Sequence, residues 1–95
     1  MATWKVEVAA EAKRDLEKFD PQVTRRIERF LYERVARLDN PRSIGQALHR
    51  EKFGELWRYR VGDWRIICQI QDTKLVVLAL RVGHRREVYE RKNFC

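Results

Sequence analysis

The chain has 95 residues, of which 44% are apolar and 11% aromatic, so it can build one small hydrophobic core but not two. No apolar run approaches the roughly 20 residues of a membrane span, and residues 1–5 lack the apolar stretch of a secretory signal. The net charge is +7, and only two cysteines are present, Cys68 in an apolar run and Cys95 at the last position, so a disulfide framework or a zinc site has no support. We therefore expect one domain over residues 1–95, cytoplasmic and without membrane contact.

The positive charge is concentrated in the second half of the chain. Residues 42–95 hold twelve Lys/Arg against six Asp/Glu, and 15 of the 21 basic residues are arginine. Because the planar guanidinium can bind phosphate in a bidentate way, this composition favours a nucleic-acid partner. Acidic lipid or an acidic protein would satisfy the same charge.

Residues 4–8 alternate between apolar and polar side chains, which predicts a first strand. Apolar residues at helical spacing over 11–19 predict a helix. Asp20 as N-cap and Pro21 at the first helical position begin a second helix, which we expect to end near residue 40. The polar face of this second helix carries Arg25, Arg26, Arg29, Arg34 and Arg37.

The second half of the chain has the pattern of a strand meander. We interpret residues 42–54, which contain two glycines, as an irregular connection. Residues 56–61 and 64–71 each alternate, and the dipeptide Gly62-Asp63 between them predicts a tight two-residue hairpin.

A continuous apolar run over 75–80 predicts a central strand that is covered on both faces and ends at Val82 and Gly83. Residues 87–95 form either a short helix or a mobile tail. The predicted order is β-α-α-β-β-β, an α+β fold with two N-terminal helices packed on one face of a small, mostly antiparallel sheet.

The two-residue turn also predicts which hairpin residues face each other, because side chains alternate along a strand. Arg60 then lies opposite Arg65, and two like charges in this position oppose pairing unless an anion lies between them. The alternative is a solvated face on which arginine stems cover apolar surface. The predicted apolar face holds Tyr59, Val61, Trp64, Ile66 and Cys68, and the opposite face holds Arg58, Arg60 and Arg65.

The stretch 82–89 has the strongest character of a site, with an imidazole, two guanidiniums and a phenol. His84 is either a proton-transfer residue, since its reference pKa of roughly 6.5 lies near neutral pH, or an exposed loop residue. Tyr89 either hydrogen-bonds a reacting hydroxyl, stacks on a base or packs the tail against the core. The three tryptophans, Trp4, Trp57 and Trp64, are predicted to belong to the core.

The element order, residues 56–65 and residues 82–89 together resemble the RelE/ParE toxin superfamily, and within it RelE more than ParE. The resemblance implies the toxin of a type II toxin–antitoxin system. It implies an endoribonuclease, an mRNA interferase that cuts messenger RNA in the A site of the 30S ribosomal subunit. The messenger's own 2′-hydroxyl is the nucleophile, with no metal and no cofactor. The implied partners are an antitoxin, the ribosome and mRNA.

The resemblance also assigns roles to residues. Arg65 and Arg85 would neutralise the reacting phosphate, and both are expected at solvent-facing or loop positions. Tyr89 matches a family tyrosine with a proton-transfer role, which His84 would share. The remaining predicted RNA contacts are Arg58, Arg60, Arg81 and Arg86. Arg58 and Arg60 replace lysines of the best-known RelE pattern, so their role is electrostatic, since arginine does not give up its proton at neutral pH.

Two alternatives remain open on the sequence. One is a ParE-like toxin that inhibits DNA gyrase with the same fold and no nuclease chemistry. The other is a non-catalytic basic module that grips RNA without proton transfer. The combination of Arg65, Arg85 and Tyr89 favours the ribonuclease. The chain has no clustered Asp/Glu set that suits magnesium and no Cys/His spacing for zinc, so no metal site is expected.

Overall fold

A five-stranded sheet with helices between its first two strands forms the α+β fold of this computed structural model, which describes residues 4–51 and 54–84. In this described part, no helix has both the length and the apolar character needed to cross a membrane. The elements are β1 (Lys5–Val8), α1 (Ala10–Lys18), α2 (Pro21–Arg29), β2 (Gln46–Glu51), β3 (Gly54–Val61), β4 (Trp64–Gln71) and β5 (Val76–His84).

The strand order across the sheet is β1-β5-β4-β3-β2. Strands β2 to β5 pair antiparallel with their neighbours, whereas β1 lies parallel to β5 with Lys5 beside Val76. The prediction of a small, mostly antiparallel sheet is therefore confirmed. The middle position belongs to β4, so β5 is an interior strand but not the central one.

The two helices begin where the sequence predicts. The Asp20 carboxylate accepts a hydrogen bond from the Gln22 backbone N–H at 3.0 Å, and Pro21 occupies the first turn, where its missing N–H has no cost. Beyond Arg29 the chain widens into a π-helical turn at Phe30–Arg34 and then tightens into a 3₁₀ turn at Val35–Arg37. The predicted long second helix is thus three successive helical forms.

The core lies between the helical segments and one face of the sheet. The predicted apolar face is confirmed, because Tyr59, Ile66 and Cys68 are fully buried. Trp64 packs half-buried against this core, and Trp4 and Trp57 belong to it, as predicted. The helical side contributes the buried residues Ala12, Leu16, Ile27, Leu31 and Val35.

Strand β2 corrects the interpretation of residues 42–54 as an irregular connection. It pairs antiparallel with β3 at the edge of the sheet, with a register shift between Ala47 and His49. Gln46, Ala47 and Leu48 are exposed. Because the strand buries neither face there and its register shifts, its sequence carries no two-residue apolar period, and that period is the signal a strand prediction needs.

Strand β5 also differs from its prediction, because it does not end at Val82 and Gly83. It continues to His84, and Gly83 is buried opposite Arg65. A register shift next to Ile67 and Cys68 leaves Leu80 without a pairing partner, so that Ala79 and Val82 both reach the core. Gly83 therefore lies inside β5 rather than at its end.

Three polar side chains hold the connection between the helical segments and β2 against the sheet. The Tyr59 hydroxyl donates to the Pro41 carbonyl at 2.5 Å, and burial raises the pKa of this phenol, so it remains a neutral donor. The Trp57 indole N–H donates to the Ile44 carbonyl at 2.8 Å. The Arg42 guanidinium joins two carboxylates, Glu55 on β3 at 2.5 Å and Asp72 in the β4–β5 turn at 2.8 Å.

Gly45→Ala is expected to destabilise the fold by about 3 kcal/mol or more. Gly45 has a φ of +89°, and an added Cβ would lie 2.4 Å from the Trp57 indole nitrogen, so the contact with Ile44 must break. Urea unfolding measures the loss. Gly62→Ala is the matched control, because its φ is +59° but its Cβ meets only the end of the Arg26 side chain, at 3.2 Å. Its cost should be about 1–2 kcal/mol, and equal losses in the two variants would contradict this account.

Candidate functional site

The β3–β4 hairpin brings two of the predicted arginines face to face. Gly62 and Asp63 form the turn, Arg60 pairs with Arg65, and Arg58 pairs with Ile67. This is the predicted register, and it places the three arginines on the sheet face opposite the helices. The hairpin therefore concentrates positive charge at one end of the sheet.

Arg65 is buried, contrary to the expectation of a solvent-facing position, with only 5% of its surface exposed. Its Nη1 donates to the carbonyls of Gly62 at 3.1 Å and Trp64 at 3.2 Å, so the guanidinium folds back on its own hairpin turn. Strand alternation predicts the face of a side chain but not whether that face is covered. The burial fixes the position of this cation.

A buried N–H of Arg65 lacks an acceptor among the described residues. Among the described residues its Nε is a buried side-chain nitrogen with no hydrogen-bond partner. A buried unpaired donor costs about 1–3 kcal/mol, and more when the group is charged. An anion that displaced the atoms covering this nitrogen would accept from Nε and offset the charge repulsion between Arg60 and Arg65.

Arg58 and Arg60, the two other arginines of the hairpin, differ in how accessible they are to a ligand. Arg58 is half-buried, and its Nη2 donates to the side-chain oxygen of Gln46 on β2. Arg60 is exposed, and it lines a groove beside the hairpin turn. Arg60 is therefore the more accessible contact for a ligand on this hairpin.

Arg81 has a partner in the protein itself. Its Nε and Nη2 donate to the two oxygens of the Asp15 carboxylate at 2.8 and 3.1 Å. Asp15, on α1, also accepts from the Val82 backbone N–H at 2.9 Å and is itself buried. These contacts raise the pKa of Arg81 further, first through the hydrogen bond to Asp15. This pairing favours a structural role for Arg81 over the predicted RNA contact.

His84 lies apart from Arg65. Its ring packs edge-on against Trp64, with centroids 5.6 Å apart, and Trp64 in turn packs against Phe19 at 4.5 Å. Since His84 pairs with Trp64 and Arg65 pairs with Gly83, their side chains belong to opposite faces of the sheet. The structure does not bring the predicted imidazole and guanidinium together.

Three predicted site residues, Arg85, Arg86 and Tyr89, lie outside the described residues. Gly83 and His84, which end β5, precede them directly in the chain. Within residues 4–51 and 54–84 no group of three or more His, Cys, Asp or Glu side chains could hold a metal ion.

The sequence analysis missed a second group of cations beside the hairpin. Arg26, Arg29 and Arg34, which it placed on the polar face of a helix, line a groove of about 500 Å³ together with Arg60. The excess of arginine over acidic residues in this helix was the available signal. Helical periodicity identifies a polar face but not the element next to it.

The chain has recognisable relatives. Residues 6–89 match the family model of the ParE toxin of the type II toxin–antitoxin system parDE. Toxin RelG of Mycobacterium tuberculosis is 34% identical over 80 residues, which cover 84% of this chain and 88% of that protein.

Solved structures share the fold. The toxin–antitoxin complex RelBE2 of Mycobacterium tuberculosis matches with a TM-score of 0.76 at 32% identity, over 90% of this chain and 94% of that chain. The archaeal RelE–RelB complex from Pyrococcus horikoshii matches with a TM-score of 0.71 at 22% identity, over 88% and 97% of the two chains. Isolated E. coli RelE toxin matches with 0.64 at 20% identity, over 98% and 97%.

Asp15→Ala is expected to destabilise the protein by about 3–5 kcal/mol, because it removes the buried carboxylate to which the Arg81 guanidinium and the Val82 N–H both donate. Glu11→Ala is the control on the same helix. Glu11 lies 3.9 Å from Arg81 with 70% of its side chain exposed, so its removal should cost less than about 1 kcal/mol. Chemical unfolding of both variants checks the difference, and similar losses would show that Asp15 is no more important than an exposed partner.

Proposed function

Because the chain belongs to the RelE/ParE superfamily of type II toxin–antitoxin toxins, we propose that it is a ribosome-dependent endoribonuclease that cuts messenger RNA in the A site. The observation that carries this proposal is the buried guanidinium of Arg65, whose Nε has no hydrogen-bond partner among the described residues and which lies at the hairpin position paired with Arg60. An RNA phosphate would supply the acceptor that this donor lacks.

The proposed reaction needs no metal-bound hydroxide. The 2′-oxygen of the message forms a bond to the adjacent phosphorus, and the bond from phosphorus to the 5′-oxygen breaks. The 2′-hydroxyl proton passes to a base, and the leaving 5′-oxygen takes up a proton. Extra negative charge develops on the phosphorus centre, and prepositioned guanidiniums stabilise it without reorganising. Arg65 would act in this way together with Arg85.

Proton transfer is assigned first to Tyr89. Arg58 and Arg60 remain charged at neutral pH and contribute only electrostatically. His84 packs on Trp64, on the face opposite Arg65, so the described geometry gives the imidazole no path to a phosphate bound at Arg65. Tyr89 lies outside the described residues, and the family resemblance gives it this role.

An antitoxin is the proposed protein partner, and the ribosome and mRNA are the proposed targets in the cytoplasm. The structural relative from Mycobacterium tuberculosis at 32% identity is a toxin–antitoxin complex. The net charge of +7 favours an antitoxin segment that is acidic or amphipathic. Electrostatics would speed this association more than it fixes the final affinity.

Gyrase inhibition is the second candidate, since the matching family model bears the name of the ParE toxin. Toxin RelG and the RelBE2 complex, which match at more than 30% identity, are RelE toxins by name, and this favours the proposed ribonuclease over gyrase inhibition. A supercoiling assay with purified gyrase separates the two functions. A protein that binds RNA but neither cuts message nor inhibits gyrase would be a non-catalytic module.

The purified chain is expected to cut mRNA on programmed ribosomes and to leave a 2′,3′-cyclic phosphate upstream and a 5′-hydroxyl downstream. Arg65→Lys keeps the charge but removes the fork and Nε–H, and Arg85→Ala removes the second guanidinium. Each should slow cleavage by about 10²–10³-fold. Arg14→Lys, on the exposed part of α1, is the control and should cut at the wild-type rate. Melting temperatures establish that the variants fold. A 5′-phosphate on the downstream fragment would rule out attack by the 2′-hydroxyl.

Tyr89→Phe and His84→Gln separate the two candidates for proton transfer. Loss of the phenol should slow single-turnover cleavage by about 10²-fold or more if it moves a proton, and the pH dependence of the rate should change. If the ring only stacks on a base, the phenylalanine variant should remain near wild type. His84→Gln should lose little activity, because its ring contacts Trp64. If His84→Gln slowed cleavage more than Tyr89→Phe did, the proton-transfer role would belong to the imidazole.

A further inference from the structure

A groove of about 500 Å³ runs between the second helical region and the β3–β4 hairpin. Arg26 and Arg29 enter it from α2, Arg34 from the π-helical turn and Arg60 from β3. A smaller groove of about 250 Å³ adjoins it and shares Arg26 and Arg29, with Arg25 and Gln22 completing its lining. Five arginines therefore line these two grooves.

Most of this charge is not neutralised within the protein. Arg29 pairs with Glu33 at 3.3 Å, but both side chains are largely exposed, so the pair is weak. In the described part of the chain, Arg26, Arg34 and Arg60 form no ion pair. The guanidinium of Arg26 lies over Gly62, where the missing side chain leaves room for it. A glycine at the turn thus brings helix and hairpin charges close together.

The lining favours a phosphate backbone over a peptide. A docked peptide would need an apolar pocket to anchor it. The two apolar lining residues are already engaged, because Phe30 packs edge-on against Tyr59 at 5.9 Å and Val61 is buried in the core. Phe30 is the one aromatic side chain among these lining residues and is half-buried, so binding in this groove would depend mainly on charge and not on base sequence.

We propose that this groove binds the phosphate backbone of the RNA strand that is cut, outside the reacting nucleotides. Arg60 connects the two sites, since it lines the groove and also lies opposite Arg65 on the hairpin. A strand whose reacting phosphate contacts Arg65 can continue past Arg60 into the groove. The inference rests on the proposed function for the identity of the strand, but it concerns binding alone.

The test measures binding of fluorescein-labelled 2′-O-methyl oligonucleotides, which have no free 2′-hydroxyl and cannot be cut. A 4-mer and a 12-mer are titrated with the full chain at several NaCl concentrations. Arg26→Gln/Arg34→Gln removes two groove charges, and Arg14→Gln/Arg37→Gln removes two exposed helical charges outside it. Melting temperatures confirm that both double variants fold.

The groove variant should bind the 12-mer at least about tenfold more weakly at 0.1 M salt, and its salt slope should fall by about 1.4, or 0.7 for each lost phosphate contact. Its affinity for the 4-mer and the behaviour of the control should change little. Equal weakening in the control would overturn the proposal and show only general attraction. The proposal would also be overturned if the groove variant kept its affinity for the 12-mer but bound another ligand more weakly. Weaker binding to ribosomes that carry no message would assign the groove to the ribosome, and weaker binding to a polyglutamate peptide would assign it to an acidic peptide. Because these oligonucleotides cannot be cut, the binding test remains valid even if the chain proves to have no nuclease activity.

Discussion

The two-residue turn at Gly62 and Asp63 determines which side chains of the central hairpin lie under the helices. Side chains alternate along a strand, so a slip of one residue would move every one of them to the other face. Such a slip would expose Tyr59 and Ile66 and would bury Arg60 beneath the helices. The cost of burying that charge and losing that core keeps the register unique. The hydrophobic core and the arginine face are therefore two consequences of one turn.

The arginines of this chain perform distinct tasks that net charge alone conceals. Arg42 and Arg81 bind carboxylates and hold a connection and a strand in place. Arg65 is bonded to carbonyls of its own turn and is buried. The exposed members, such as Arg26 and Arg60, meet near the hairpin turn. The positive potential is thus strongest at that end of the sheet, although the basic residues are spread through the chain.

The spacing of apolar residues predicted the helices and strands that bury one face. It did not predict features whose burial depends on neighbouring elements. The hairpin was predictable because its alternation and its turn agree. Strand β2 was not, since an exposed edge strand with a shifted register shows no period. Gly83 was interpreted as a strand end because glycine usually interrupts a strand, but here it lies buried opposite Arg65. The burial of Arg65 and the convergence of helix and hairpin arginines depend on tertiary contacts that no single segment encodes.

The parallel pairing of β1 with β5 has a consequence for the timing of synthesis. Lys5 and Val76 lie side by side, so β1 cannot pair with β5, its neighbour in the described sheet, until Val76 has been translated. A nascent chain interrupted before β5 has an unpaired strand, and α1 lacks the carboxylate contacts of Asp15 with Arg81 and Val82. Contacts this distant in sequence form late and slowly. A chain that stops before β5 therefore lacks both the partner of its first strand and the contacts that hold α1 on the sheet.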